Sequence, residues 1–209
     1  ATAGGSAVSS GSTTNDQTLS LTFTSSEATT NLISSDITVV GGAISSFSAT
    51  SSTVYTATFT PTADGLTSIN FAAGVFTDAS GNNNTAATQF TWTYDGTSPT
   101  MTITSSTVST GATTNNGTIA LTFTSSEATA NFVEADVTVT NGGLSSFSGS
   151  GTTYNATFTP NADGASTIDV AVNKFTDAVG NNNTAATQFT WTYDGTPPTM
   201  AITATAGGS

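Results

Sequence analysis

Almost every side chain in this sequence that can do acid–base or ligand chemistry is a carboxylate. Thirteen Asp and Glu stand against one basic residue, Lys174, with no His and no Cys. Without Cys there is no thiolate nucleophile, no disulfide and no zinc–sulfur site. Without His, the usual general base and the usual transition-metal ligand are missing. Carboxylates, Asn amides and backbone carbonyls together suit a hard cation. Ca²⁺ fits best, because it takes about six to eight oxygens at roughly 2.3–2.6 Å, whereas Mg²⁺ dehydrates reluctantly. Carboxylates gathered without basic partners must be solvated, protonated or neutralised by such an ion.

The charge balance excludes several classes. A net charge of −12 and a pI near 4.1 leave no cations to displace counterions from nucleic acid. An anionic membrane surface is excluded by the same reasoning. No apolar run is long enough for a transmembrane helix, so direct membrane insertion is not expected. Only 7% of the 209 residues are charged, which is unlike a charge-driven disordered chain, and 35% are hydrophobic, enough for the cores of thin domains. No signal peptide is visible, and a start at "ATAGGS" without Met reads as an excerpt or a mature fragment.

The elements that must place these acids come in two copies. "FTDASGNNNTAATQFTWTYDGTSPT" at 76–100 returns at 175–199 with only Ser80/Val179 and Ser98/Pro197 changed. "LTFTSSEAT" occurs at 21–29 and 121–129, and "ATFTPTADG" at 57–65 matches "ATFTPNADG" at 156–164. These are tandem repeats. "ATAGGS" at 1–6 reappears at 204–209, which suggests that the pair itself recurs in a longer array. The expected organisation is repeat 1 at 1–97 with a truncated first strand, repeat 2 at 98–200, and the start of a following repeat at 201–209.

Within each repeat the apolar period is two. Leu19, Leu21 and Phe23 alternate with Ser20, Thr22 and Thr24, and Phe90, Trp92 and Tyr94 with Thr91 and Thr93. Such runs, separated by Gly, Asn, Asp and Pro, are half-buried strands. In repeat 2 they are expected at 101–107, 118–124, 136–140, 144–149, 153–159, 166–172 and 186–193. Only 125–136 has room for a helical turn. Seven strands in such a length predict an all-β fold: two tandem Ig-like antiparallel β-sandwiches in an elongated rod. The stripe Phe189, Trp191, Tyr193 is then core rather than a carbohydrate-stacking groove.

Strands that alternate in direction send the acids to two poles. Glu27, Asp36 and Asp78 fall at the leading pole of repeat 1; Glu127, Glu134, Asp136 and Asp177 fall at that of repeat 2. The trailing poles hold Asp16, Asp64 and Asp95, then Asp163 and Asp194, which leaves only Asp169 inside a strand. The short connector "YDGTSPTM" is expected to bring one trailing pole against the next leading pole. Asp64, Asp95, Glu127, Asp136 and Asp177 are thus candidate Ca²⁺ ligands at the junction. Glu27, Asp36, Asp78, Asp163 and Asp194 are the equivalent half-sites. The Asn residues of "GNNN" could complete the shell. Each Asp taken singly is also an ordinary turn former.

The ordered set "SSEAT", "FTPxADG", "FTDAxGN" and "YDGTxPT" resembles the bacterial Ig-like repeats of giant surface adhesins and biofilm-associated proteins. The resemblance covers nearly the whole chain and implies an extracellular, cell-surface stalk without enzyme activity. It implies calcium at the junctions, with Glu27/Glu127, Asp78/Asp177 and Asp95/Asp194 at the motif positions. The partners implied are neighbouring repeats of the same chain or filament; a tip module for an adhesive target is not among these residues. The alternative is a subunit of a polymerising extracellular filament or surface layer. Glycoside hydrolysis by paired carboxylates lacks a deep pocket. Lys–Asn cross-links fail because Val75 stands where repeat 2 has Lys174.

Overall fold

The structure, a computed structural model, describes residues 1–205. Two compact units divide at Thr97/Ser98. The strands of unit 1 are β1 (Thr2–Ala3), β2 (Ser6–Ala7), β3 (Thr13–Thr14), β4 (Leu19–Thr24), β5 (Ile37–Val40), β6 (Gly42–Ala49), β7 (Val54–Pro61), β8 (Gly65–Phe71) and β9 (Phe90–Tyr94). One sheet runs β2-β1-β4-β7-β6 and the other β3-β9-β8-β5. All pairs are antiparallel except β3 with β9, where Thr13 lies opposite Thr93 in a parallel match.

Unit 2 repeats the plan with β10 (Met101–Ser105), β11 (Thr113–Thr114), β12 (Ile119–Thr129), β13 (Val137–Thr140), β14 (Gly142–Pro160), β15 (Gly164–Val170) and β16 (Phe189–Tyr193). Its sheets run β10-β12-β14 and β11-β16-β15-β13. The first strand is shorter than expected, and the second is longer. Met101 pairs with Ser125, so β10 draws β12 out over residues expected to turn. Glu127 therefore lies within a strand, as Asp169 does. The only helical piece of 125–136 is a 3-10 turn at Glu134–Asp136. The strands expected at 144–149 and 153–159 form one continuous element, β14. It doubles back on itself, since a Cβ on Gly149 would overlap Thr153 and Tyr154. Residues 201–205 are exposed and carry no strand, and 206–209, expected to continue it, lie outside the described residues.

Alternation builds each core. In β4, Leu19 and Leu21 point inward while Ser20, Thr22 and Thr24 face solvent. Across the sandwich the Phe59 ring meets Trp92 edge-on at 4.6 Å, and Phe158 meets Trp191 at 4.8 Å. Each fully buried ring of this size contributes about 1.5–3 kcal/mol. Both indole N–H groups are buried without a hydrogen-bond partner, which costs part of that gain.

The glycine that opens β6 and the one that opens β14 have a steric origin. Gly42 passes over the Phe59 ring and Gly142 over Phe158, so closely that an added Cβ would overlap the ring and the backbone of the next residue. Gly142→Ala is expected to lower unfolding stability by about 1–3 kcal/mol through forced displacement of Phe158. Gly143→Ala, with open space around its Cα, should change it far less. Urea denaturation of the two variants tests this.

Candidate functional site

The acids divide by what their oxygens hold. Asp64, between β7 and β8, accepts a hydrogen bond from the Gly96 amide at 2.7 Å and a short one from the Thr97 hydroxyl. The Thr97 hydroxyl, then the Gly96 amide, holds the Asp64 carboxyl below its ordinary value. Asp163 does the same with Gly195 at 2.7 Å and with Thr196, and is lowered by the same two causes. The co-occurrence of "ADG" and "YDGT" is thereby explained: the first Asp clamps the turn that follows the second. A Cβ on Gly96 or Gly195 would meet the hydroxyl of Tyr94 or Tyr193, so a larger residue there would displace that ring.

Asp95 and Asp194 close β9 and β16. Their amides donate to Thr14 and Thr114 at 3.0 Å, and their Oδ1 atoms accept from Thr97 and Thr196 at 3.3 and 3.2 Å. Asp16 accepts a short bond from the Thr14 hydroxyl. Asp36 and Asp136 end 3-10 turns and accept from the Ile33 and Val133 amides at 2.9 Å. Glu27 and Glu134 are exposed.

The loop "TDAxGNNN" is organised by its third Asn, which sequence reasoning left as a spare ligand. Asn84 Oδ1 accepts from the Val75 and Phe76 amides at 2.8 and 3.0 Å, while its Nδ2 donates to Ala72 and Thr85 carbonyls, each at 2.8 Å. Asn183 repeats this with Lys174, Phe175, Ala171 and Thr184, and is only 1% exposed. These amides are spent on the loop. A second missed pair is Asn31 and Asn131. Each accepts from a Thr amide of the same loop, Thr77 at 3.1 Å and Thr176 at 3.0 Å. Tyr55 and Tyr154 add a tie by donating to the Thr29 and Thr129 carbonyls at 2.7 and 2.8 Å. Recurrence of Asn in "SSEATxN" and "GNNN" was the available signal.

Asp78 sits inside this loop in unit 1. It accepts from Asn82 Nδ2 at 2.7 Å and from the Asn82 and Ser80 amides at 2.8 Å each. The Asn82 side chain, then its amide, lowers the Asp78 carboxyl. Its counterpart Asp177 is buried, at 7% exposure. Within unit 2, carboxylate oxygens of Asp177 and Glu127 approach to within 4.8 Å. A cation with ligands near 2.4 Å spans oxygens up to about 4.8 Å apart. Two carboxylates of the predicted set thus come together within unit 2; among the described residues, Asp136 and Asp163 do not join them.

Two outcomes follow. Asn183→Ala should cost about 2–3 kcal/mol, since it strands the buried Phe175 amide and leaves the part-buried Lys174 amide and the Ala171 and Thr184 carbonyls to water; calorimetry of the variant measures it. The second concerns acid. A carboxyl lowered on folding stabilises above its unfolded value, and that contribution is lost as pH falls through the folded one. For Asp64, Asp78 and Asp163 the loss begins near 3.8 and continues downward. Compared with the parent, Asp64→Asn with Asp163→Asn should show a smaller loss of urea midpoint between about pH 4 and pH 2.

The bacterial Ig-like domain family matches residues 3–94 and again 95–193. A search of the curated proteins found no match. Among solved structures, Yersinia pseudotuberculosis InvD is similar at 17% identity over 93% of this chain and 61% of that one, with a TM-score of 0.41. The adhesin InvE of the same organism gives 17% over 88% and 56%, with a TM-score of 0.32. Invasin, a bacterial integrin-binding protein, gives 15% over 88% and 37%, with a TM-score of 0.32. The chain thus spans less than two thirds of each of these structures. Family match and strand order agree: the chain belongs to the bacterial Ig-like domain family, as two tandem copies.

Proposed function

We propose that this chain is a non-enzymatic stretch of the extracellular stalk of a bacterial adhesin, with Ca²⁺ bound where consecutive repeats meet. The observation that carries the metal is the approach of Glu127 and Asp177 in unit 2, with Asp177 buried, in a chain of net charge −12. Family membership and the surplus of carboxylates support the stalk. The ligands would be Glu127 and Asp177, with Asp95 supplied from the end of the preceding repeat across the short connector. At a joint after unit 2, Asp194 would play the part of Asp95, and at a joint before unit 1, Glu27 with Asp78 would offer the receiving half. Asp64 and Asp163 hold the connector turn, and Asp36 and Asp136 cap 3-10 turns. They serve the joint by shaping it.

The ion would neutralise carboxylates that otherwise repel, so a flexible link becomes stiff when calcium is present. Weak sites suffice outside cells, where Kd values of about 10⁻⁴–10⁻³ M are typical of extracellular modules. At a calcium concentration a hundred times Kd, binding to the folded state alone adds about 2.7 kcal/mol, read as a rise in Tm. Small-angle scattering should show a longer maximum dimension with calcium than with chelator. The pair Asp95→Asn and Asp177→Asn should remove both effects. An unchanged dimension and Tm on adding calcium would sink the proposal.

A further inference from the structure

Asn followed by Gly occurs at two places in this chain, Asn116-Gly117 and Asn141-Gly142, both in unit 2. Asn is a thermolabile residue, and a following glycine makes it more so. Without a Cβ, the glycine nitrogen can swing toward the side-chain carbonyl carbon of the Asn before it. Whether it does so in a folded chain depends on what holds the two residues.

Asn141 is held at several points. Its Nδ2 donates to the Ala162 carbonyl at 2.8 Å and to Ser166 Oγ at 3.4 Å. Its own carbonyl shares a peptide group with the Gly142 nitrogen and accepts from the Asn161 amide at 3.0 Å. Gly142 lies against the Phe158 ring and the Thr159 carbonyl, without room for a Cβ. That peptide group cannot turn without breaking the start of β14.

Asn116 is held loosely. It lies between β11 and β12, and both it and Gly117 are exposed. Its Nδ2 donates to the Thr107 carbonyl at a long 3.3 Å. Among the described residues, no hydrogen bond holds the Asn116 carbonyl or the Gly117 amide. Open space lies where a Cβ on Gly117 would stand.

Unit 1 shows what this position tolerates. Asp16 and Gln17 stand where unit 2 has Asn116 and Gly117. The Asp16 and Asn116 amides donate to the Thr14 and Thr114 hydroxyls, each at 3.2 Å. In unit 1 the Thr14 hydroxyl donates in turn to the Asp16 carboxylate. The Thr114 hydroxyl stands ready to do the same for a carboxylate at 116.

We propose that Asn116 is a site of spontaneous covalent modification, at which the Gly117 nitrogen turns the side-chain amide into a carboxylate. The nitrogen attacks Asn116 Cγ and gives up its proton. The Cγ–Nδ2 bond breaks, and ammonia leaves with that proton from a cyclic succinimide. Water then opens the ring. Addition at Cγ gives aspartate, the residue type unit 1 already has. Addition at the Asn116 main-chain carbonyl carbon gives isoaspartate, whose main chain runs through Cβ and Cγ. Either product places a new negative charge near the end of β16, where the Asp194 amide donates to the Thr114 carbonyl. The aspartate form fits the loop as Asp16 does; the isoaspartate form lengthens the chain between β11 and β12. Neither calcium nor a neighbouring repeat takes part.

Peptide mapping by mass spectrometry tests this, on the folded chain kept in mildly alkaline buffer with chelator and on the same chain kept in urea. In the folded chain, acid should accumulate at Asn116 and not at Asn141; in urea both should convert. Gly117→Gln, which installs the residue of unit 1, should lose the conversion at 116. An isoaspartyl-specific methyltransferase should label the aged parent and not that variant. Asn116→Asp should keep the Tm of the fresh parent. A folded chain whose Asn116 is still an amide when the urea sample has converted overturns the proposal. Conversion of Asn141 as fast as Asn116 in the folded chain overturns it too. A lowered Tm for Asn116→Asp would overturn the fit drawn from Asp16.

Discussion

The repeat depends on hydrogen bonds from backbone amides to side-chain oxygens of Asp and Asn. With one Lys in the chain, ion pairs cannot organise its loops, and without Cys neither can disulfides. Asn183 ties four backbone groups, Asp163 grips the turn after β16, and Asp136 caps a 3-10 turn. Bonds to an ionised acceptor are about twice as strong as neutral ones, and they fix geometry as well as energy. They also explain why the signature residues of the loops are polar.

The two units are alike in these loops and unlike at one strand. Unit 2 has a full first strand, a long β12 and a sealed Phe123. Unit 1 has a short β1, a β4 that stops at Thr24 and a half-open end. In unit 2, pairing of Met101–Ser105 with β12 supplies backbone partners and apolar cover for Phe123 together.

Much of the architecture was legible. Alternation of Leu19, Leu21 and Phe23, and of Phe90 and Trp92, fixes strand faces because side chains leave a strand on opposite sides. Seven such runs per repeat and fixed turn motifs fix the family. The length of β12 was hidden, because "SSEAT" has no strand character of its own and is drawn out by Met101 pairing at Ser125. Of the site, the carboxylates were visible as a set, but their separate tasks were not. "D" reads the same whether its oxygens hold the connector turn, as in Asp64, or the loop that surrounds it, as in Asp78.

By itself, the sequence determined the all-β class, the tandem repeat, the core faces and the absence of catalytic Cys and His, all of which follow from local pattern and composition. Tertiary structure decided which backbone groups the Asp and Asn oxygens hold. Those depend on residues far apart in the chain, such as Asp64 with Gly96 and Asn31 with Thr77, meeting at one place. Local pattern carries no information about such meetings, because side-chain hydrogen bonds are set by distance in space and only the closed sandwich fixes that distance.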